Sequence, residues 1–296
     1  MQSVKGSNAI ENIVTTDKRI EEIVNRSSAP LNHNEQEIAG YRDALNIIHN
    51  GFDNISIEEQ SILNLHSILL SFTETEGGKY KTSDNLILET DRDGNRKIRF
   101  IPTKASETEF SMQQLVYAFI DANNDSGINK LLLIPCFILD FLCIHPFSDG
   151  NGRMSRLLSL LLLYKAGFEA GKYISFEEQI NKNKNSYYET LRISSQNWES
   201  NTNDYLPFIE NFIFTLFICY KELDNRFAVI HSKNVSKRER IEQTILNSLL
   251  PLGKKDIHYI LPDVSTTTIE IVVSQMLKQG IIKKIGSYKD AKYIKE

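Results

Sequence analysis

The chain has 296 residues, 41% of them hydrophobic and 24% charged, with a net charge of −4. That is an ordinary soluble balance, long enough for one large domain plus a small one, and it argues against a protein that binds nucleic acid over its whole surface. Cys136, Cys143 and Cys219 all lie in apolar stretches with no C-x-x-C pair, which excludes a disulfide framework or zinc site of the usual spacing.

The N-terminus lacks the apolar core of a secretory signal, and no apolar run reaches the roughly 20 residues of a membrane span, so a cytoplasmic chain without a membrane partner is expected. Residues 1–27 carry a helical pattern with Ile10, Ile13, Ile20 and Ile23 as the apolar face. Ser7 reads as its cap and Glu11 as a solvated residue. Ser27-Ser28-Ala29-Pro30 breaks it. A helix over about 34–50 follows, started by a capping Asn, with Ile38, Tyr41, Leu45 and Ile48 on one face. Ser56 is placed to cap the next, which carries Ile62, Leu63, Leu65, Leu69 and Leu70 and ends at Gly77-Gly78. His49 and His66 lie on these helices without a partner at metal-ligand spacing, so both read as structural or exposed.

Two extended runs, 85–90 and 97–101, flank Asp91-Arg92-Asp93-Gly94-Asn95, which holds a strong turn signal. A hairpin alone needs support from a core. A helix over about 107–122 and a loop at Asn123-Asn124-Asp125-Ser126-Gly127 come next. Two apolar runs, 131–144 and 157–164, then enclose His145-Pro146-Phe147-Ser148-Asp149-Gly150-Asn151-Gly152-Arg153, with Arg156 one turn further on. Pro146 ends the first helix by keeping His145 out of the helical region. Phe147 is the expected anchor of the loop. Gly150 and Gly152 permit unusual backbone angles, and N–H groups at the start of the second helix favour an anion. Arg153 and Arg156, three apart, are expected to project towards the same place. Asp149 is a hard oxygen ligand suited to Mg²⁺, and His145 can be a neutral base at physiological pH. A base, a metal ligand, an anion cradle and two guanidinium groups together describe phosphoryl or nucleotidyl transfer.

Ser175 caps a short helix, and a second covers Ser186 to Ser195 with Tyr187-Tyr188 followed by Leu191. An apolar helix over about 203–223 (Leu206, Phe208, Ile209, Phe212, Ile213, Leu216, Phe217) closes the core, and Trp198 sits in the loop before it. Residues 233–296 hold twelve lysines and arginines against seven acidic residues, a balance of +5 within the −4 chain. Helices over about 237–250, 254–261 and 266–279, then short strands over 281–285 and 292–294, spell a winged helix. A helix that starts with three threonines is not a convincing base reader.

The stretch from His145 to Arg156 resembles the signature of the Fic (filamentation induced by cAMP) family, written H-P-F-x-D/E-G-N-G/K-R-x-x-R, with every defined position filled. Three other segments are similar to parts of that family. Ser7, Glu11 and Asn12 fit the S/T-x-x-x-E-G/N pattern of an inhibitory helix found in one subclass, here about residues 1–27. The stretch Gly78-Lys79-Tyr80-Lys81-Thr82-Ser83-Asp84-Asn85 resembles the lead-in to a hairpin flap, about 82–103, which pairs with a target segment by strand addition. Tyr187-Tyr188-x-x-Leu191 resembles a spacing whose tyrosines line the nucleotide site. Ser195 departs from the Asn that many members carry near the adenine, and the Gly-Asp that usually follows is missing.

The resemblance implies a mostly α fold. A Fic-type helical domain with a β-hairpin flap would cover 1–230, and a small C-terminal winged-helix domain 236–296. It implies a bacterial source and a protein adenylyltransferase that moves AMP from ATP to a hydroxyl of a target protein, the chain itself included. In that scheme His145 is the general base and Asp149 binds Mg²⁺ (or Mn²⁺) at the α- and β-phosphates. Asn151 positions the α-phosphate, Gly150 and Gly152 offer N–H groups to the leaving phosphates, and Arg153 and Arg156 neutralise the β and γ groups. Tyr187 and Tyr188 line the nucleotide site, and Ser7 and Glu11 belong to the inhibitory segment. Two rivals stand beside it. One is γ-phosphate transfer, against which both motif glycines argue. The other is a DNA-binding transcription regulator that keeps the first domain as a nucleotide sensor. A homo-oligomer and a DNA partner are left open.

Overall fold

The computed structural model describes residues 1–90, 96–231, 236–248, 251–286 and 291–296. The fold is mostly helical, as the sequence implies. In chain order the helices are α1 (Gln2–Ile10), α2 (Asp17–Val24), α3 (His33–Gly51) and α4 (Glu59–Leu69), followed by strands β1 (Ile87–Thr90) and β2 (Arg96–Phe100). Next come α5 (Ala105–Asn124), α6 (Lys130–Ile144), α7 (Asn151–Lys165), α8 (Phe176–Lys182), α9 (Lys184–Ser194) and α10 (Leu206–His231). The remaining elements are α11 (Lys237–Asn247), β3 (Leu252–Gly253), α12 (Lys254–Ile260), α13 (Thr266–Lys278), β4 (Ile282–Ile285) and β5 (Lys292–Lys295).

The chain divides into two compact units, Met1–Glu169 with Ser175–Leu216, and Ala170–Ile174 with Phe217–Glu296. In the first, α6 and α7 form the centre. Their apolar runs have no polar face, which is why Phe137, Phe141, Leu157, Leu160 and Leu161 are all buried. Helices α3 and α5 pack against this pair, and α1 lies along α8. Strands β1 and β2 pair antiparallel, with Leu88 opposite Ile98 and Thr90 opposite Arg96. The expected turn, 91–95, lies outside the described residues. The second unit holds α11, α12 and α13 around a core that includes Ile241, Ile257, Val272 and Met276, with an antiparallel sheet ordered β3-β5-β4.

Several local readings change. The N-terminal helix is two helices, because Thr16 caps α2 by accepting from the Arg19 N–H, and the chain turns between Glu11 and Thr16. Ser7 is therefore inside α1 and caps nothing. Helix α4 starts after Glu58 without a side-chain cap, and Ser56 instead donates to the Glu58 carboxylate. Leu206 and Phe217 on α10 are more than half exposed, so only Phe208, Phe212 and Leu216 of that face close the core. Of the three cysteines in apolar stretches, Cys143 and Cys219 are buried and Cys136 is partly so. Ser175 does cap α8, accepting from the Glu178 N–H. Among the described residues, no helix is long and apolar enough to cross a membrane.

Candidate active site

Helix α6 ends at His145, whose backbone is left-handed (φ 52°, ψ 60°) while its N–H still bonds the Phe141 carbonyl at 2.9 Å. Side chains with a Cβ resist this conformation, but Pro146 disfavours the helical alternative. Phe147 is fully buried, and its ring stacks on His66 with centroids 3.6 Å apart. Asn151 grips the same residue from the other side. Its Oδ1 accepts from the Phe147 N–H at 2.9 Å and its Nδ2 donates to the Phe147 carbonyl at 2.7 Å. Gly150 then reverses the chain with φ 81°, a left-handed angle, and caps α7. The Asp149 carboxylate accepts from the Gly150 N–H, which closes the turn.

The two arginines differ in their partners. Arg153 meets Glu37 at 2.9 Å and Asp149 at 3.1 Å, and its Nη1 is buried without a hydrogen bond. Arg156 donates from Nε to Ser7 Oγ (2.7 Å), from Nη2 to the Ser7 carbonyl (3.1 Å) and from Nη1 to Glu11 Oε1 (3.0 Å). Both guanidinium groups are 2% exposed. The expectation that they serve one place is not met in this state, since they bond to different carboxylates. Glu11 follows the end of α1 and stands over the first turn of α7. A Cβ on Gly152 would overlap its Oε1. Gly152 therefore matters for the space it leaves, whereas Gly150 has the positive φ; the expectation of unusual angles at both is met only at Gly150.

A cavity of about 640 Å³ opens between α1, the hairpin, α7 and α9. Glu11, His145, Gly152, Arg156, Tyr187, Tyr188 and Ser195 line it, together with Arg99 and Lys184. Asp149, Gly150, Asn151, Arg153 and Ser7 do not line it, although they hold the loop or the arginines that do. Arg99 lies over the Tyr188 ring, 5.4 Å from its centre, and donates to the Tyr188 carbonyl. Lys184 donates to Asn12. Burial holds the Tyr187 and Tyr188 hydroxyls protonated well above the usual range.

His145 is pushed down to about 4, first by burial and then by the Lys81 ammonium, with the Leu142 carbonyl, Glu11 and Asp149 pulling the other way. It is therefore a neutral imidazole at pH 7. Burial raises the barrier to charging His66 too, bringing it to about 4. His66 Nδ1 accepts from the Gly78 N–H at 3.0 Å, so Nε2 carries the proton and bonds the Asp149 carbonyl at 3.1 Å. His66 is structural, one of the two places the sequence allows it, whereas nothing in the sequence marks Glu37, Arg99 or Lys184, and Lys81 stands out only as part of the flap lead-in. Only the long apolar helix around His66 hinted at burial.

Asp149 is about half exposed and shares one oxygen with Arg153. Among the described residues no group of three or more His, Cys, Asp or Glu side chains is arranged to hold a metal ion. Mg²⁺ in nucleotide sites commonly takes one or two carboxylates and draws its other ligands from phosphates and water. A single outward carboxylate beside the anion cradle fits that pattern, but not a stand-alone metal site.

Residues 56–163 match the model of the Fic/DOC family, so this stretch is a Fic/DOC family domain. Over 221 residues the chain is 26% identical to a protein adenylyltransferase Fic of Nematostella vectensis, covering 70% of this chain and 45% of that one. Its identity to the counterpart of Drosophila yakuba is 28% over 156 residues, 52% of this chain and 27% of the other. The chain thus spans less than half the length of these curated relatives. A Fic family protein of Desulfovibrio desulfuricans shares the fold with a TM-score of 0.61 at 20% identity, over 100% of this chain and 85% of its own.

Proposed function

We propose that this chain is a protein adenylyltransferase, transferring AMP from ATP to a hydroxyl of a target protein and held in check by Glu11. The observation that carries the reading is the pairing of a neutral, buried His145 with the start of α7 across one cavity, where Gly152 and Arg156 lie. A helix start with open N–H groups and a guanidinium suits a phosphate chain. A neutral imidazole suits a hydroxyl that must lose its proton.

In the proposed step, His145 takes the hydroxyl proton as the oxygen bonds to the α-phosphorus. The bond from that phosphorus to the β-phosphate oxygen breaks, and pyrophosphate leaves with the electron pair. Arg156 offsets its charge, and N–H groups of the first turn of α7 donate to the phosphate oxygens. Asn151 acts by holding Phe147 at the start of α7, since its amide is spent on that residue and lies outside the cavity lining. Mg²⁺, bound through Asp149, would neutralise charge on the α- and β-phosphates. Tyr187 and Tyr188 wall the cavity on the α9 side for the base and ribose. The hairpin offers the edge for the target segment, and the second unit is read as a winged helix.

Glu11 supplies the check. Its carboxylate sits over Gly152 and on Arg156, where the phosphate chain needs open space and a free cation. Incubating the chain carrying Glu11→Gly with α-labelled ATP and Mg²⁺ tests the proposal. Label on the chain or on an added protein from lysate, lost with His145→Ala, is the expected result. Label that appears only from γ-labelled ATP would point to phosphate transfer and overturn it.

A further inference from the structure

His145 needs more than burial, because its backbone is in a conformation that a side chain with a Cβ resists. A second residue must hold the peptides on either side of it. Lys81, in the segment between α4 and β1, does both. Its N–H donates to the Pro146 carbonyl at 2.9 Å, just after the histidine. Its ammonium donates to the Ile144 carbonyl at 3.2 Å, just before it. A third bond runs from the ammonium to Asn85 Oδ1 at 2.9 Å, and Asn85 in turn donates to the Phe147 carbonyl at 3.4 Å. Lys81 is 3% exposed, and each of these acceptors is neutral.

We propose that Lys81 is a positioning residue for His145: it fastens the carbonyls on both sides of the histidine, so that the approach to β1 and the base move as one body. This rests on the reading of His145 as the general base. A lysine buried among neutral acceptors is an odd choice for packing alone, since an ammonium out of water is unfavourable without a carboxylate. Two roles justify it here. It supplies donors to carbonyls that the end of α6 leaves open. It also puts a cation beside an imidazole that has to stay uncharged. Burial brings Lys81 itself down to about 8, and Asp84 opposes that. The charged groups that act most on His145 are Lys81 from this segment, Glu11 from the end of α1 and Asp149 from the loop. Lys81 is the cation that shifts His145 downward, while Arg156 from α7, Arg99 from β2 and Lys184 from α9 line the same cavity.

The test uses the full chain carrying Glu11→Gly as parent, with Lys81→Met and Lys81→Arg added in turn. Methionine keeps the stem and removes both charge and donors, and arginine keeps the charge. The His145 ring is titrated by NMR, its signal identified by its loss in His145→Ala. With Lys81→Met the ring should titrate at higher pH than in the parent, and with Lys81→Arg near the parent. In transfer from α-labelled ATP, Lys81→Met should lower kcat by about 10²-fold, as a displaced reacting group does. KM for ATP should stay within about twofold, because the nucleotide is not touched. The acid limb of the kcat profile should move up the pH scale with the ring.

An unmoved ring titration with kcat within about threefold of the parent would overturn the inference. So would a rise in KM that matches the fall in kcat, since that marks a nucleotide contact. If Lys81→Met does not fold, Lys81→Gln meets the same criteria. Should His145→Ala retain transfer, or the parent show none, the reading of His145 fails. The ring titration still decides whether Lys81 governs that histidine.

Discussion

A base that accepts a proton near neutrality has to be uncharged beforehand, and at His145, proposed for that role, burial and Lys81 together favour the neutral ring. His145→Ala should therefore abolish transfer, a loss of about 10²–10⁴-fold for a general base, while ATP binding persists. Equilibrium binding of labelled ATP beside a transfer assay checks both halves. His145 and His66 also link stability to pH. Both are depressed to about 4 in the fold, against 6.5 for the free side chain. Their contribution is thus fully present above about pH 6.5 and is lost as pH falls towards 4, because the unfolded chain takes up the protons first. The thermal midpoint should drop between pH 7 and pH 5, and drop less in His145→Ala. An equal drop in that variant would assign the effect to other groups. Asp149 makes a separate demand. Transfer should stop with EDTA and recover with Mg²⁺, and a rate indifferent to EDTA would reduce Asp149 to a turn residue.

At the scale of elements, α7 is held from two directions. Asn151, in its first turn, pairs with both backbone groups of Phe147. Asn151→Ala should lose both bonds and leave buried backbone groups unpaired, at about 1–3 kcal/mol each. Thermal unfolding should register that loss even without nucleotide. A variant as stable as the parent but defective in transfer would instead make Asn151 a pure phosphate contact. From the other side, α1 brings Ser7 and Glu11 to Arg156. Ser7→Ala removes the Nε partner but leaves the Glu11 ion pair. It should raise transfer only in part, and by less than Glu11→Gly. Measured rates in the order wild type, Ser7→Ala, Glu11→Gly are expected. A larger gain from Ser7→Ala would show that docking of α1, and not the carboxylate, sets the check.

At the scale of the whole molecule, what the sequence reveals depends on how local the chemistry is. The motif was legible because twelve consecutive residues carry it, and the hairpin because its two runs and turn are adjacent. The Glu11–Arg156 pair, 145 residues apart, was legible only through a family pattern at each end. The roles of Lys81 and Glu37 were not, because each is a single residue whose partner is distant in the chain. The break in the N-terminal helix was missed because isoleucines keep a helical spacing across it. The proposed residues all lie in the unit formed by Met1–Glu169 and Ser175–Leu216. Removing 236–296 should therefore leave transfer intact. A folded but inactive truncation would show that the second unit completes the site.

In the proposed function, Glu11 restrains a His145-dependent transfer of AMP. The direct measurement is label transfer from α-labelled ATP by the wild-type chain, by Glu11→Gly and by Glu11→Gly/His145→Ala, at equal protein and Mg²⁺. Removing the carboxylate frees Arg156 and the space over Gly152, and realigned phosphates can change a rate by about 10²-fold. The prediction is a nearly silent wild type, a strong signal from Glu11→Gly and silence again in the double variant. Equal rates for wild type and Glu11→Gly, or a gain that survives the loss of His145, would contradict it.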